Sequence, residues 1–199
     1  MNKMQYMMVL GTCGVMGCVE DTEKDAEEME ETEEVSEYGP SNDWFHAQSD
    51  VAIPDGSNCG TSAGEVACNF TFLDQNGDEV ELYQFTGKVV VIDIFAEWCG
   101  PCQQDAASGH SIEFTNTYGA DAVYLSVMLE SNEGVPTQSD VADWAETYSL
   151  NHPVLADETS SLAPMVPTGL PTFVVLDRTM TIVYEDLYPF NDESVVELF

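Results

Sequence analysis

The sequence predicts an α/β domain with a central mixed β-sheet flanked by helices, and three observations predict it. Residues 89–95 read Val-Val-Val-Ile-Asp-Ile-Phe, an almost unbroken β-branched run of the kind found in a central strand buried on both faces. A helical pattern begins within a few residues of it, and strand and helix patterns then alternate once more. Two closely spaced strand patterns follow. The order βα, βα, then a hairpin implies a mixed sheet with helices on both faces.

The elements follow in order. Residues 70–73 and 80–82 are short strand candidates, and the Asn76-Gly77 step between them supplies the positive φ angles of a tight turn, so an N-terminal β-hairpin opens the domain. Gly87 and Lys88 lead into the central run. A single helix is expected from Cys99 to about Tyr118, because Ala106, Ala107, His110 and Phe114 recur at near-helical spacing. Further expectations are a strand near 122–128, a helix near 138–148 and paired strands at 172–176 and 181–185. A short last helix from about Asp192 presents Val195, Val196, Leu198 and Phe199.

The chain ahead of this domain has another character. Lys3, an apolar run from Met4 to Met16 and small residues up to Cys18 have the layout of a secretory signal over residues 1–17. Val15-Met16-Gly17-Cys18 resembles a bacterial lipobox, with Val15 where Leu is usual. That resemblance implies cleavage before Cys18 and lipidation of its thiol; the alternative is a plain signal peptide cleaved nearby. It places the protein in the bacterial cell envelope, lipid-anchored and periplasm-facing, and Val19 in place of Asp favours the outer membrane. Residues 20–37 are almost wholly acidic, so residues 18–57 read as a flexible tether to a domain spanning 58–199. Within the tether, Trp44, Phe45 and His46 read as packing against the domain. No stretch approaches the roughly 18 apolar residues of a spanning helix, so the lipid is the expected membrane contact. With 37 acidic residues against 4 basic ones the formal net charge is −33, which argues against nucleic acid and anionic lipid as partners.

Cys99-Gly100-Pro101-Cys102 follows the central strand and opens a helix, the context in which Cys-x-x-Cys reads as a redox pair. At a helix N-terminus free amides and the positive dipole end favour a thiolate, so Cys99 is the expected nucleophile and Cys102 the resolving thiol. Pro101 suits the first turn, which needs no N–H from it, and Gly100 keeps the approach to the sulfurs open. Asp93, six residues before Cys99, is costly in an apolar strand unless it has a task. Desolvation should raise its pKa and make it a proton acceptor for Cys102; the alternative is a structural carboxylate. Cys59 and Cys68 read as a structural disulfide at the start of the domain, with a second redox relay or metal ligation as alternatives. His46, His110 and His152 lack metal-site spacing and read as surface or packing residues, and no metal is expected.

The segment 93–102, Asp-Ile-Phe-Ala-Glu-Trp-Cys-Gly-Pro-Cys, resembles the active-site segment of the thioredoxin superfamily. The preceding hairpin, the Gly87-Lys88 step and the long stretch 130–167 are most similar to its envelope-anchored thiol-disulfide oxidoreductases, the TlpA/ResA-like branch. This implies a thioredoxin fold with an insertion ahead of a cis-proline loop at Gly169-Leu170-Pro171-Thr172. Pro171 would sit beside the dithiol, Leu170 would offer main-chain groups to an extended substrate, and Trp98 would shield the sulfurs and lend a flat contact surface. It also implies exchange with protein disulfides, an upstream electron-donor protein and no cofactor beyond the Cys99–Cys102 disulfide; a monomer is expected. Gln103, Gln104 and Asp105 stand where thioredoxins usually have lysine, and Ala107 replaces a proline common in envelope relatives, which points to a straighter helix. Met180 stands where a turn glycine is common. Two other functions remain open: a copper(I)-binding or delivery lipoprotein, and a peroxiredoxin-like peroxidase, disfavoured because the only arginine, Arg178, is far along the sequence.

Overall fold

The structure is a computed structural model that describes residues 38–48 and 51–199. The expected signal, Cys18 and the acidic run up to residue 37 lie outside the described residues. Seven strands form one mixed sheet in the order β2-β1-β5-β4-β3-β6-β7. They are β1 (Thr71–Asp74), β2 (Glu79–Glu81), β3 (Val89–Ala96), β4 (Ala122–Glu130), β5 (Val154–Ala156), β6 (Thr172–Leu176) and β7 (Ile182–Tyr184). The helices are α1 (Gly100–Ser108), α2 (His110–Tyr118), α3 (Gln138–Tyr148) and α4 (Asp192–Val196).

β3 lies deep in the sheet, as its β-branched run requires. It pairs parallel with β4, Asp93 opposite Ser126, and antiparallel with β6, Ile94 opposite Thr172. Alternation then sorts its side chains. Val90, Ile92 and Ile94 face a core with Phe72, Leu82, Phe85, Leu125 and Val174. Val89, Val91 and Phe95 face the four α-helices through Cys102, Phe114, Trp144 and Val195. Helices were expected on both faces; among the described residues the other face carries instead two 3-10 turns, Leu82–Phe85 and Ala163–Met165, and part of the N-terminal segment, because the crossovers β3 to β4 and β4 to β5 run the same way along the sheet and set their helices on one side.

That segment begins earlier than the expected tether boundary allows. Within residues 38–48, Tyr38 donates its hydroxyl to Glu81 (2.7 Å), Trp44 donates Nε1–H to Asp74 (2.7 Å), and the Ala47 amide donates to the Gln84 carbonyl (2.6 Å). His46 is buried with both ring nitrogens on main-chain carbonyls of Tyr38 and Asn42. The aromatic residues supply the burial that fixes residues 38–48 on the domain, well before residue 58.

Three further differences from the sequence reading have local causes. The helix expected over 99–118 is divided: Gly109 adopts φ +75°, its N–H bonds the Ala106 carbonyl, and α2 starts at a new angle. A glycine αL cap ends α1, so the loss of proline at Ala107 does not give one straight helix. β5 was not anticipated, because three residues carry no readable alternation, yet it alone joins the hairpin to the central sheet, pairing with β1 and β4. Met180 holds φ +65° in the turn before β7, with its side chain fully buried in the core.

Cys59 and Cys68 are bonded, with Cα atoms 4.7 Å apart. The closed loop lies on the β7 edge: Val66 bridges Thr181, the Ala67 amide donates to Met180 and the Ile182 amide to Glu65. Its backbone satisfies edge groups that would otherwise face solvent. The double change Cys59→Ser/Cys68→Ser, which opens a loop of sequence separation 9, is expected to lower unfolding free energy by roughly 2–3 kcal/mol in denaturant titrations. A loss below about 0.5 kcal/mol would show that the bond does not restrain the loop in the unfolded chain.

Candidate active site

The buried end of β3 delivers the reactive residues. After Ala96 the chain leaves the sheet, and the Glu97 amide donates to the Glu130 carbonyl (2.9 Å), tying the turn to the end of β4. The Glu97 carboxylate accepts the Asn132 amide (2.8 Å) and its carbonyl accepts Gln103 Nε2–H (2.7 Å), so the turn is held from both sides. Cys99 is the N-cap of α1, with Pro101 in the first turn, as its missing N–H predicts. Its sulfur accepts the Cys102 amide at 3.3 Å. Capping by a sulfur is the contact that favours a thiolate once the bond is reduced.

Cys99 and Cys102 are joined as a disulfide, Cα atoms 5.2 Å apart and residues 5% and 3% exposed. Gly100 is exposed, and a side chain there would meet nothing within 4 Å. Trp98 is 54% exposed and presents its ring to solvent. The Leu170–Pro171 peptide is cis, and half-buried Leu170 packs against the cluster that holds both cysteines. The pairing of Thr172 with Ile94 sets Pro171 beside the exit of β3. Cys99, Gly100, Pro101, Cys102, Leu170 and Pro171 therefore form one locale, with Trp98 on its rim.

Asp93 lies on the helix-facing side of β3, in the wall of a cavity of about 100 Å³. Ala106, one turn beyond Cys102 and on the same side of α1, lines that cavity too, which places it under the dithiol. Asp93 Oδ2 accepts the Ser126 hydroxyl at 3.4 Å, while Oδ1 is shielded from solvent and has no partner. Burial, and then the charge of Asp105, push the Asp93 carboxyl up to about 7, against the opposing hydrogen bonds of Ser126 and Tyr124. Burial also raises Asp105 and drives Tyr124 well above the usual phenol range. A carboxyl poised near neutrality beneath a dithiol can exchange protons with it.

The sequence reading gives Tyr124 and Ser126 no role, marks Asp105 only as standing where lysine is usual, and takes His152 as a surface or packing residue; it is buried against Tyr124. Ser126 carried a signal: it is a polar residue within an apolar strand, and the parallel register sets it against Asp93. His152, in the loop before β5, carried none. Among the described residues no three His, Cys, Asp or Glu side chains converge where a metal ion would fit.

A family model described as the AhpC/TSA family matches residues 63–185. The thioredoxin-like protein YneN of Bacillus subtilis is 27% identical over 119 residues, 60% of this chain and 68% of that protein. The thiol-disulfide oxidoreductase ResA of Bacillus cereus is 27% identical over 121 residues, 60% of this chain and 66% of that protein. The chain thus spans about two thirds of the length of each. A crystal structure of a thiol:disulfide interchange protein, DsbE, from Chlorobium tepidum superposes with TM-score 0.54 at 24% identity, covering 63% of this chain and 84% of that one. It shares the thioredoxin fold.

The raised Asp93 carboxyl has a consequence for stability. Between its unfolded value near 3.8 and its folded value of about 7 the native state binds the extra proton, so stability is full at low pH and falls as pH rises through this window. Asp93→Asn removes the penalty. In the oxidised protein this variant is expected to exceed the parent by on the order of 3 kcal/mol in denaturant melts at pH 8, the gap closing toward pH 4. An equal gap at both pH values would contradict the raised carboxyl.

Proposed function

Since the chain belongs to the AhpC/TSA family, we propose that it exchanges the Cys99–Cys102 dithiol and disulfide with protein substrates outside the cytoplasm, acting as a reductant. The observation that carries this is the cysteine pair itself: a capping sulfur that receives a helix amide, bonded to its partner one turn on, near a half-buried carboxyl.

The Cys99 thiolate attacks one sulfur of a substrate disulfide, and the other substrate sulfur leaves as a thiolate. Cys102 gives its proton to Asp93 and its thiolate attacks the Cys99 sulfur, which releases the second substrate thiolate. The dithiol has lost two electrons, the substrate disulfide has gained them, and the Cys99–Cys102 bond remains. An upstream electron-donor protein must reduce that bond before another round. Leu170, Pro171 and Trp98 form the surface against which an extended substrate segment lies.

The rest of the proposal concerns place. Lys3, the apolar run and Val15-Met16-Gly17-Cys18 support export, lipidation of Cys18 and tethering of a monomer to the envelope, with Val19 favouring the outer membrane. The peroxidase reading lacks its cation at the nucleophile: Arg178, the only arginine in the sequence, donates to the Gly87 carbonyl (3.0 Å) and Asp121 (3.0 Å), at the opposite end of β3 from Cys99. A copper(I)-delivery protein would retain copper in stoichiometric amount and turn over disulfides little.

In a coupled insulin-reduction assay the reduced protein is expected to turn over, Cys99→Ser to be inactive, and Cys102→Ser to accumulate a mixed disulfide through Cys99. Asp93→Asn is expected to slow resolution of that intermediate about tenfold near pH 7. An inactive parent protein, or equal activity in Cys99→Ser, would overturn the proposal.

A further inference from the structure

Three buried groups beside Asp93 take no part in the steps above: Tyr124, Ser126 and His152. His152 is 1% exposed, and its Nε2 lies 3.1 Å from Ser126 Oγ, the atom that contacts Asp93 Oδ2 at 3.4 Å. Asp93, Ser126 and His152 form one continuous line of contacts. The line is held by the backbone. The Ser126 amide donates to the Pro153 carbonyl (3.0 Å), Gln75 Nε2–H donates to the His152 carbonyl (3.0 Å), and the Val154 amide donates to Gln75 Oε1 (2.9 Å). The edge of the Tyr124 ring packs on the imidazole at 4.9 Å between centroids.

A serine hydroxyl has one hydrogen and two neighbours here, so the contacts compete for it. Given to His152, that hydrogen would leave an oxygen lone pair facing an ionised Asp93. Given to Asp93, it requires that His152 donate to Ser126, with Nε2 protonated. The other ring nitrogen decides between them: His152 Nδ1 is buried with no partner. An orphaned buried N–H is rarer than an orphaned acceptor, which favours the tautomer with the hydrogen on Nε2.

We propose that His152 is a positioning residue: its Nε2–H donates to Ser126, which turns the Ser126 hydroxyl toward Asp93 and holds that carboxyl ready to take the proton of Cys102. The inference rests on Asp93 being the proton acceptor, as proposed above. The transfer moves a proton from the Cys102 sulfur to a carboxylate oxygen and consumes no electrons. Other groups also face the Asp93 cavity: Tyr124 from β4, Asp105 from α1, His110 at the head of α2, and Tyr188 ahead of α4, with Asp192 on His110 at 2.6 Å. All of them remain when His152 alone is changed. Burial holds the His152 ring down to about 3, so it stays neutral while Asp93 titrates.

The test is a ¹³C carboxyl NMR titration of Asp93 in the full oxidised chain, its signal identified by loss in Asp93→Asn. His152→Ala is expected to raise the midpoint by about one unit, the effect of losing an oriented hydrogen bond to a buried charge. His152→Gln, whose amide can donate from a similar place, is expected to recover most of it. Ser126→Ala should match His152→Ala and Ser126→Thr should match the parent, so the serine pair decides the matter if His152→Ala fails to fold. An unmoved midpoint, or equal shifts in His152→Gln and His152→Ala, overturns the proposal. The reading of Asp93 as proton acceptor fails separately, if Asp93→Asn leaves the pH profile of mixed-disulfide resolution unchanged.

Discussion

The amide of Cys102 points at the sulfur of Cys99 across the first turn of α1, and most of the chain serves to keep that contact in place. A sulfur at a helix start can be a thiolate near neutral pH only if the helix begins there and nowhere else. The beginning is fixed from below by β3, held between β4 and β6, and from the sides by the bonds of Glu97 to the end of β4 and to Gln103. Gly109 then ends α1 after two and a half turns, so α2 can follow the sheet at its own angle while the dithiol stays at the sheet's end.

The same strand explains the carboxyl. A position in β3 that faces the helices lines the same cavity as Ala106, one turn beyond Cys102, and it is also a place where charge is costly. The protein meets the cost partially, with the Ser126 hydroxyl of β4 and a small cavity, and leaves Asp93 Oδ1 unpartnered. A fully satisfied carboxylate would be a poor proton acceptor, because its pKa would fall far below that of a thiol. The two cations among the described residues, Lys88 and Arg178, bond near the opposite end of β3, so neither is available to neutralise Asp93.

Much of this was legible in the sequence, and the limits have physical causes. The run at 89–95 identified the central strand because burial on both faces leaves no alternation to misread. Cys99 to Cys102, set directly after it, marked from spacing and strand-to-helix context the pair that the structure bonds, and Asp93 was conspicuous as the one charge in an apolar strand. Gly169 to Thr172 identified the cis-proline loop only through family resemblance. The division at Gly109 was missed because apolar spacing continues through it, from Ala106 to Phe114. β5 was missed because its three residues are specified by their neighbours on either side. His152 reads as no more than a surface or packing residue because its contact with Ser126, 26 positions away, is one that no local pattern encodes.

The start of α1 should lower the pKa of one sulfur and not of the other. Alkylation of the reduced protein across a pH series, with Cys99 and Cys102 followed separately by mass spectrometry, checks this. Cys99 is expected to be modified first, with a midpoint well below the ordinary thiol value of about 8.5, and Cys102 to resist until higher pH. A Cys99 midpoint at or above about 8.5, or faster modification of Cys102, would contradict it.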